Sequence, residues 1–195
     1  MAQSQPLLAV IAGPNGAGKT TTAPRLLKGA LAVNEFVNAD PIAQGLSHFR
    51  PEAVAISAGR VMLGRLKALA RAREDFAFET TLASRSFAPW LASLRKSGYR
   101  IHLAFLSLPS PDLAVARVAE RVRQGGHDVP EIVVRRRFTA GLINFFTLYQ
   151  AVVDSWQVFD NSKLAGPHSI AWGEATSRLE IEDRQAWNHI TKYTK

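Results

Sequence analysis

The octapeptide Gly13-Pro14-Asn15-Gly16-Ala17-Gly18-Lys19-Thr20 fits G-x-x-x-x-G-K-[ST] at every fixed position and directly follows the apolar run Leu7–Ala12. A strand that ends in such a loop, with a helix starting at its lysine, aims several backbone N–H groups and the positive helix end into one concavity. A di- or triphosphate fits there. Gly16 and Gly18 give the backbone freedom and the lack of side chains that a close phosphate requires. The nucleotide-binding set expected is Gly13, Asn15, Gly16, Ala17, Gly18, Lys19, Thr20 and Thr21. Lys19 is expected on the β- and γ-phosphates of ATP, and the Thr20 hydroxyl on Mg²⁺.

The 195 residues, 47% hydrophobic, suit a single domain, 1–195, with a real core and a small lid. No run of about 18 apolar residues occurs, which argues against a membrane span, and the first residues lack the charged region and cleavage site of a leader. Cysteine is absent, which fits a cytoplasmic protein and excludes disulfides, thiolate metal sites and a cysteine nucleophile. The formal net charge is +8, and 17 of the 24 basic residues are arginine. Arginine suits bidentate phosphate recognition. Six of the arginines fall between Arg117 and Arg137, whereas most of the rest read as solubilising surface charge. Aromatic residues do not interleave with them as a base-stacking platform requires, which argues against a nucleic-acid partner.

In chain order, a short helix is expected over Thr21–Leu27 with Gly29 as its C-cap. Glu35–Asp40 reads as a strand that delivers Asn38 and Asp40 to the rim of the phosphate loop, and Pro41 opens the next turn or helix. Pro51–Arg73 is the longest helical stretch. Arg60 within it reads equally as a phosphate contact or a snorkelling surface arginine. Asp75–Thr81 is a buried strand with polar residues at its end, Ser86–Ser97 a helix stopped by Gly98, and Arg100–Leu108 a further strand. Asp112–Arg123 is helical, with Ser110 or Asp112 near its N-cap. The loop Gly125–Pro130 leads to a helix from Pro130–Glu131 through Phe138–Val153. Two arginine-bearing helices around a Gly-Gly hinge form a natural mobile lid over about 110–150. Trp156–Phe159 is a last strand, His168–Gly173 an edge strand, and Glu174–Lys195 a terminal helix or tail. The alternation gives an α/β fold: a doubly wound, mainly parallel sheet with a helical lid.

A phosphate loop alone does not separate kinase, hydrolytic switch and motor. Phosphoryl transfer to a hydroxyl needs a carboxylate at the acceptor, a lysine and metal on the β/γ-oxygens, and mobile arginines for the charge in flight. The chain offers Asp40, Lys19 with Thr20, and the arginines flanking Gly125-Gly126. Asp40 alternatively caps the helix after Pro41. Glu79 reads as a polar strand end, a group acting on Mg²⁺ through water, or an acceptor contact, and His127 as a hinge or local cap rather than a base.

Together, Gly13–Thr21, Phe-Val-Asn-Ala-Asp-Pro-Ile-Ala at 36–43, Phe-Glu-Thr-Thr-Leu-Ala-Ser at 78–84, Arg-Val-Ala-Glu-Arg-Val-Arg-Gln-Gly-Gly-His at 117–127 and Phe-Asp-Asn-Ser at 159–162 resemble the zeta-toxin family. The resemblance implies a P-loop kinase that uses ATP and Mg²⁺ to phosphorylate the 3′-hydroxyl of the sugar in UDP-N-acetylglucosamine and related sugar nucleotides, held in its toxin members by a small antitoxin. It implies Lys19 on the triphosphate, Thr20 on Mg²⁺ and Asp40 as base. Asn38, Asp40, Glu79 and Thr81 fall on the substrate side. Two transition-state arginines belong to the lid. Arg121 is the first, and Arg136 is chosen for the second among Arg135, Arg136 and Arg137. The lid sequence Gly-Gly-His-Asp-Val-Pro differs from the toxins proper and is more similar to the compact, stand-alone branch described as predicted ATPases. Two rival readings follow from the same residues: a kinase for a nucleic-acid end or another small molecule, and a nucleotide-binding module with little turnover.

Overall fold

Strand β1 (Leu7–Ala12) is buried at all six positions, because it lies between two parallel neighbours and is covered on both faces. The structure is a computed structural model that describes residues 5–47, 51–163, 165–175 and 177–194. Alternation along β1 divides the core. Leu8, Val10 and Ala12 join the larger apolar cluster, and Leu7, Ala9 and Ile11 the smaller one beneath the first helix.

That helix, α1 (Lys19–Leu26), starts at the lysine of the loop. It does not stop at Gly29. It continues as a π-helical turn, Leu27–Leu31, and ends at Ala32 with φ +50°, where Val33 N–H bonds to the Leu27 carbonyl at 3.0 Å. A Cβ at Gly29 would meet nothing within 4 Å, so glycine is not required there. β2 (Glu35–Val37) is only three residues long, and α2 (Ala39–Leu46) follows at once. Asn38 and Asp40 therefore sit at a helix start rather than on a strand, and the Asn38 side chain accepts the Asp40 N–H at 2.9 Å as the N-cap.

A 3₁₀ turn, Pro51–Val54, opens α3 (Ala55–Ala72), which buries Ala58, Met62, Leu66 and Leu69 at helical spacing. β3 (Phe76–Thr80), α4 (Phe87–Lys96), β4 (Arg100–Ser107) and α5 (Pro111–Arg123) follow as expected. The Ser110 hydroxyl caps α5 by accepting the Leu113 N–H at 3.2 Å. α6 (Glu131–Asn144) runs through a π-helical turn, Phe145–Tyr149, into α7 (Gln150–Val152). The next strand is β5 (Ser155–Asp160).

The carboxyl-terminal part departs from expectation. β6 (His168–Glu174) pairs antiparallel with β5 but is not the edge, because β7 (Arg178–Ile181) pairs outside it. α8 (Arg184–Thr191) then packs back on the sheet. Thr176 and Lys195, in the expected tail, lie outside the described residues. The sheet order is β2-β3-β1-β4-β5-β6-β7, with the first five strands parallel. The chain leaves β1 through α1 toward β2 on one side, and the β3–β4 crossover passes to the other side of β1, so a cleft opens beyond its carboxyl end.

Candidate active site

The site is built at that cleft. The loop at 13–18 follows β1, and two glycines in it are required by position. A Cβ at Gly13 would lie 2.2 Å from the Leu106 carbonyl oxygen of β4, and one at Gly16, where φ is +78°, would lie 2.7 Å from the Ala114 carbonyl of α5. α1 directs its positive end at the loop concavity.

Lys19 is 6% exposed. Its ammonium donates to the Pro14 carbonyl at 2.9 Å and faces Glu79 Oε1 at 3.6 Å. Burial pushes this ammonium below the ordinary lysine value, opposed by the charges of Glu79 and Asp40. A cation so desolvated gains from the countercharge that a bound phosphate brings. Glu79, near the end of β3, accepts two hydrogen bonds at Oε2, from the Thr20 hydroxyl at 2.7 Å and from Asn38 Nδ2 at 2.9 Å. The Asn38 amide oxygen in turn holds the Asp40 N–H, so a single chain of contacts runs from the phosphate loop to Asp40.

Two cavities meet at this chain. One, of about 330 Å³, is lined by Gly16, Gly18, Thr20, Thr21, Arg117 and Arg121. The other, of about 470 Å³, has apolar walls from Ile56, Met62, Leu63, Phe87 and Val129 and polar groups from Thr80, Thr81, His127, Arg60 and Arg137. Asn15, Lys19, Asp40 and Glu79 line both. The arrangement can bring a phosphate on the loop to a hydroxyl in the larger cavity beside the Asp40 carboxylate.

The arginines of α6 are sorted by helical phase. α6 turns Val134, Phe138, Gly141 and Leu142 to the core. At about 3.6 residues per turn Arg136 lies opposite Val134. It is exposed and lines neither cavity. Arg135 is held outside by Asp112 at 2.6 Å and Glu131 at 2.7 Å. The arginine in the cleft is Arg137, whose Nη1 donates to Asn15 Oδ1 at 3.4 Å. Burial holds its guanidinium below the usual arginine value, as does the neighbouring charge of Arg136. The choice of Arg136 is corrected to Arg137 as the residue at the cleft. Arg121 does line the nucleotide-side cavity, where its Nη2 donates to the His127 carbonyl at 2.7 Å and its buried Nε has no hydrogen-bond partner among the described residues.

Two further residues escaped the sequence reading as individual site members. Asn161, just past β5, donates from Nδ2 to the Ala17 carbonyl at 2.7 Å and to the Thr22 hydroxyl at 3.4 Å, pinning the loop from behind. Arg117 donates to the carbonyls of Asn161 at 2.7 Å and Ser162 at 2.6 Å, which ties α5 to the same segment. The Phe-Asp-Asn-Ser run after a strand is the available signal for the first, and the arginine cluster that begins at Arg117 for the second, though neither says what the side chain touches.

The oxygen donors fit Mg²⁺. The Thr20 hydroxyl and the Glu79 and Asp40 carboxylates gather at one place, yet among the described residues no group of three or more His, Cys, Asp or Glu could enclose a metal. Mg²⁺ characteristically takes only one or two protein oxygens and completes its shell with phosphate and water.

A family model described as Zeta toxin matches residues 1–166. The chain belongs to the zeta-toxin family. It is thereby an ATP-dependent phosphotransferase with the P-loop kinase fold. An uncharacterized protein of Haemophilus influenzae (strain ATCC 51907 / DSM 11121 / KW20 / Rd) is 29% identical over 126 residues, 65% of this chain and 88% of that one. Among solved structures, a chain of the AvrRxo1-ORF1:AvrRxo1-ORF2 complex with sulphate ions superposes with a TM-score of 0.76 at 16% identity, covering 99% of this chain and 66% of that one. The same complex with ATP gives 0.74 at 17% identity over 99% and 65%. A chain of the PezAT chromosomal toxin-antitoxin system of Streptococcus pneumoniae gives 0.67 at 14% identity, covering 99% of this chain and 87% of that one. This zeta-toxin chain thus spans about two thirds of the AvrRxo1 chains it matches and most of the pneumococcal one. At these identities the likeness is one of fold. Among the described residues no helix is long and apolar enough to cross a membrane.

Proposed function

We propose that the protein transfers the γ-phosphoryl group of Mg²⁺·ATP to a hydroxyl of a small acceptor in the larger cavity. The first candidate is a UDP-sugar such as UDP-N-acetylglucosamine. The observation that carries the reading is the junction of the two cavities at Asn15, Lys19, Asp40 and Glu79. ATP is the donor of choice because the loop offers the amides, lysine and hydroxyl that a triphosphate uses, and because a chain of this fold was solved with ATP. Magnesium would supply charge neutralisation on the β- and γ-oxygens, held by Thr20 with Glu79 beside it.

The chain's own residues then divide the work. Lys19 holds the donor phosphates in line. Asp40 orients the acceptor hydroxyl and takes its proton as the new O–P bond forms and the β–γ bridge breaks to leave ADP. Arg121 and Arg137 enter from opposite lid helices to balance charge on the moving phosphoryl group. Thr80 and Thr81, with the apolar wall of α3, position the acceptor. The sugar-nucleotide identity rests on family resemblance, as does a small antitoxin as partner; a structural neighbour is named as part of a toxin-antitoxin system. Cytoplasmic placement accords with the need for ATP and the absence of cysteine.

Incubation with ATP, Mg²⁺ and a panel of UDP-sugars, followed by mass spectrometry, tests the proposal. A mass gain of one phosphoryl group on one acceptor is expected. Intact ATP binding with no product from any sugar nucleotide would overturn the acceptor assignment.

A further inference from the structure

The turn that follows β3 is held by the carboxyl-terminal end of the helix that carries Arg137. Leu82, fully buried in that turn, has φ +55°, a left-handed conformation that leucine rarely adopts and keeps only where its surroundings fix it. The fixing groups lie on one face of α6 and of the π-helical turn after it. Asn144, 8% exposed, donates from Nδ2 to the carbonyls of Leu82 at 2.8 Å and Ala83 at 3.2 Å. The Tyr149 hydroxyl donates to the Ser84 carbonyl, because a π-helical turn is wider than an α turn and returns Tyr149 to the face of Asn144. Gly141 completes that face: a Cβ there would lie 2.5 Å from the Thr81 carbonyl oxygen. On the other side of the turn, Thr80 Oγ1 accepts the Leu82 N–H at 3.1 Å and Thr81 Oγ1 the Ala83 N–H at 3.4 Å, and both threonines line the larger cavity. Each hydroxyl, having accepted from the backbone, keeps its own proton to donate.

We infer that Asn144, with Tyr149 beside it, is a positioning residue for the phosphoryl acceptor. It does not line the cavity itself; it holds the turn at 81–84 so that the Thr80 and Thr81 hydroxyls donate into the space beside Asp40. Without Asn144 two carbonyls lose their donor, and Leu82 relaxes toward a commoner conformation. That relaxation turns away the N–H groups of Leu82 and Ala83, which give the threonine hydroxyls their direction. A polar acceptor then meets donors that it must order at its own cost. The same helix brings Arg137 to the phosphate loop, so α6 sets the arginine and the acceptor-facing hydroxyls against each other. The inference rests on the reading of the larger cavity as the acceptor's, and not on which hydroxyl compound fills it.

Two measurements on Asn144→Leu and Tyr149→Phe test it. Leucine keeps most of the volume of Asn144 and removes the donor, and phenylalanine removes only a hydroxyl, so Tyr149→Phe carries both readouts should Asn144→Leu fail to fold. In steady-state transfer from Mg²⁺·ATP to UDP-N-acetylglucosamine, Asn144→Leu is expected to raise KM for the sugar nucleotide by about tenfold or more and Tyr149→Phe by a smaller factor, with KM for ATP unchanged in both. A merely structural loss lowers the active fraction, and with it kcat, at unchanged KM. An acceptor KM that stays at the wild-type value in both variants overturns the inference. Hydrogen–deuterium exchange of the protein alone is the second measurement and needs no acceptor. The amides of Leu82 and Ala83 should exchange roughly tenfold faster or more in Asn144→Leu than in the wild type, while those of the phosphate loop do not change. Equal exchange at 82 and 83 overturns the inference whatever the kinetics show. A wild type that phosphorylates no UDP-sugar sinks the sugar-nucleotide reading alone, and the exchange difference then decides the inference by itself.

Discussion

Arg137 Nη1 reaches Asn15 Oδ1 at 3.4 Å, so α6 touches the phosphate loop directly, at a residue that lines both cavities. Arg136, one residue earlier, is turned to solvent. A guanidinium already in the cleft can follow the charge of a moving phosphoryl group; one on the far side of the helix cannot. Arg137→Ala is expected to lower kcat by about 10²–10³-fold, in the range of other losses of transition-state charge stabilisation. Arg136→Ala should leave it near wild type. Equal losses in the two variants, measured by initial rates at saturating ATP, would contradict the assignment.

Among the described residues, the Asp40 carboxylate is engaged by no hydrogen bond or ion pair, and it lines both cavities. The helix cap that its sequence context suggested is supplied by Asn38 instead, which leaves Asp40 free for an acceptor. Asp40→Asn keeps the shape and removes the base, so transfer should fall by about 10²–10⁴-fold. ATP affinity in Mg²⁺ should be little changed. Transfer at near wild-type rate in single-turnover measurements would remove Asp40 from the role of base.

Asn161 is buried at 9% exposure, and its amide fills the back of the phosphate loop. Truncation to alanine strands the Ala17 carbonyl and leaves the loop unsupported. Asn161→Ala is expected to cost about 1–3 kcal/mol of stability, the usual penalty of an unsatisfied buried polar group, and to weaken ATP binding as well. Urea unfolding and nucleotide titration measure the two effects. A variant as stable as wild type that still binds ATP normally would show that the loop holds its shape alone.

The phosphate loop was readable from the sequence because everything it does is local: the glycines, lysine and threonine act within a few residues of one another, and the strand and helix signals flank them. Arg137 was not, because three successive arginines differ only in helical phase, and the phase is set by where Val134 and Phe138 find the core. Asn161 depends on β5 lying beside β4, a non-local fact. β7 was hidden for another reason. Arg178-Leu179-Glu180-Ile181 is short, charged and mostly exposed, as a tolerated sheet edge is, and the same composition reads as a tail. The helix end at Ala32 carries no sequence signal, whereas Gly29, which reads as a stop, stays helical and has no close contact that requires glycine.

Away from the site, His102 on β4 sets an acid limit on stability. It pairs with Ser155 across the strands, and its Nδ1 lies 2.9 Å from the Ser155 hydroxyl. Burial, and then the charge of Arg100, push the imidazole down to about 4 from its ordinary 6.5. Between those values the unfolded chain binds a proton that the folded protein does not. Stability therefore falls as pH drops from the unfolded value toward the folded one, and this contribution levels off below about pH 4. The full loss is about 2–3 kcal/mol at 1.36 kcal/mol per unit, somewhat reduced by the partial exposure of the ring. His102→Gln keeps a hydrogen-bonding group for Ser155 and does not titrate, so its stability should decline less over the same range. Urea unfolding of both proteins at about pH 7 and about pH 4.5 measures the difference, in which the acids common to both proteins cancel. Parallel losses in the two proteins would show that His102 is protonated in the folded state as readily as in the unfolded one.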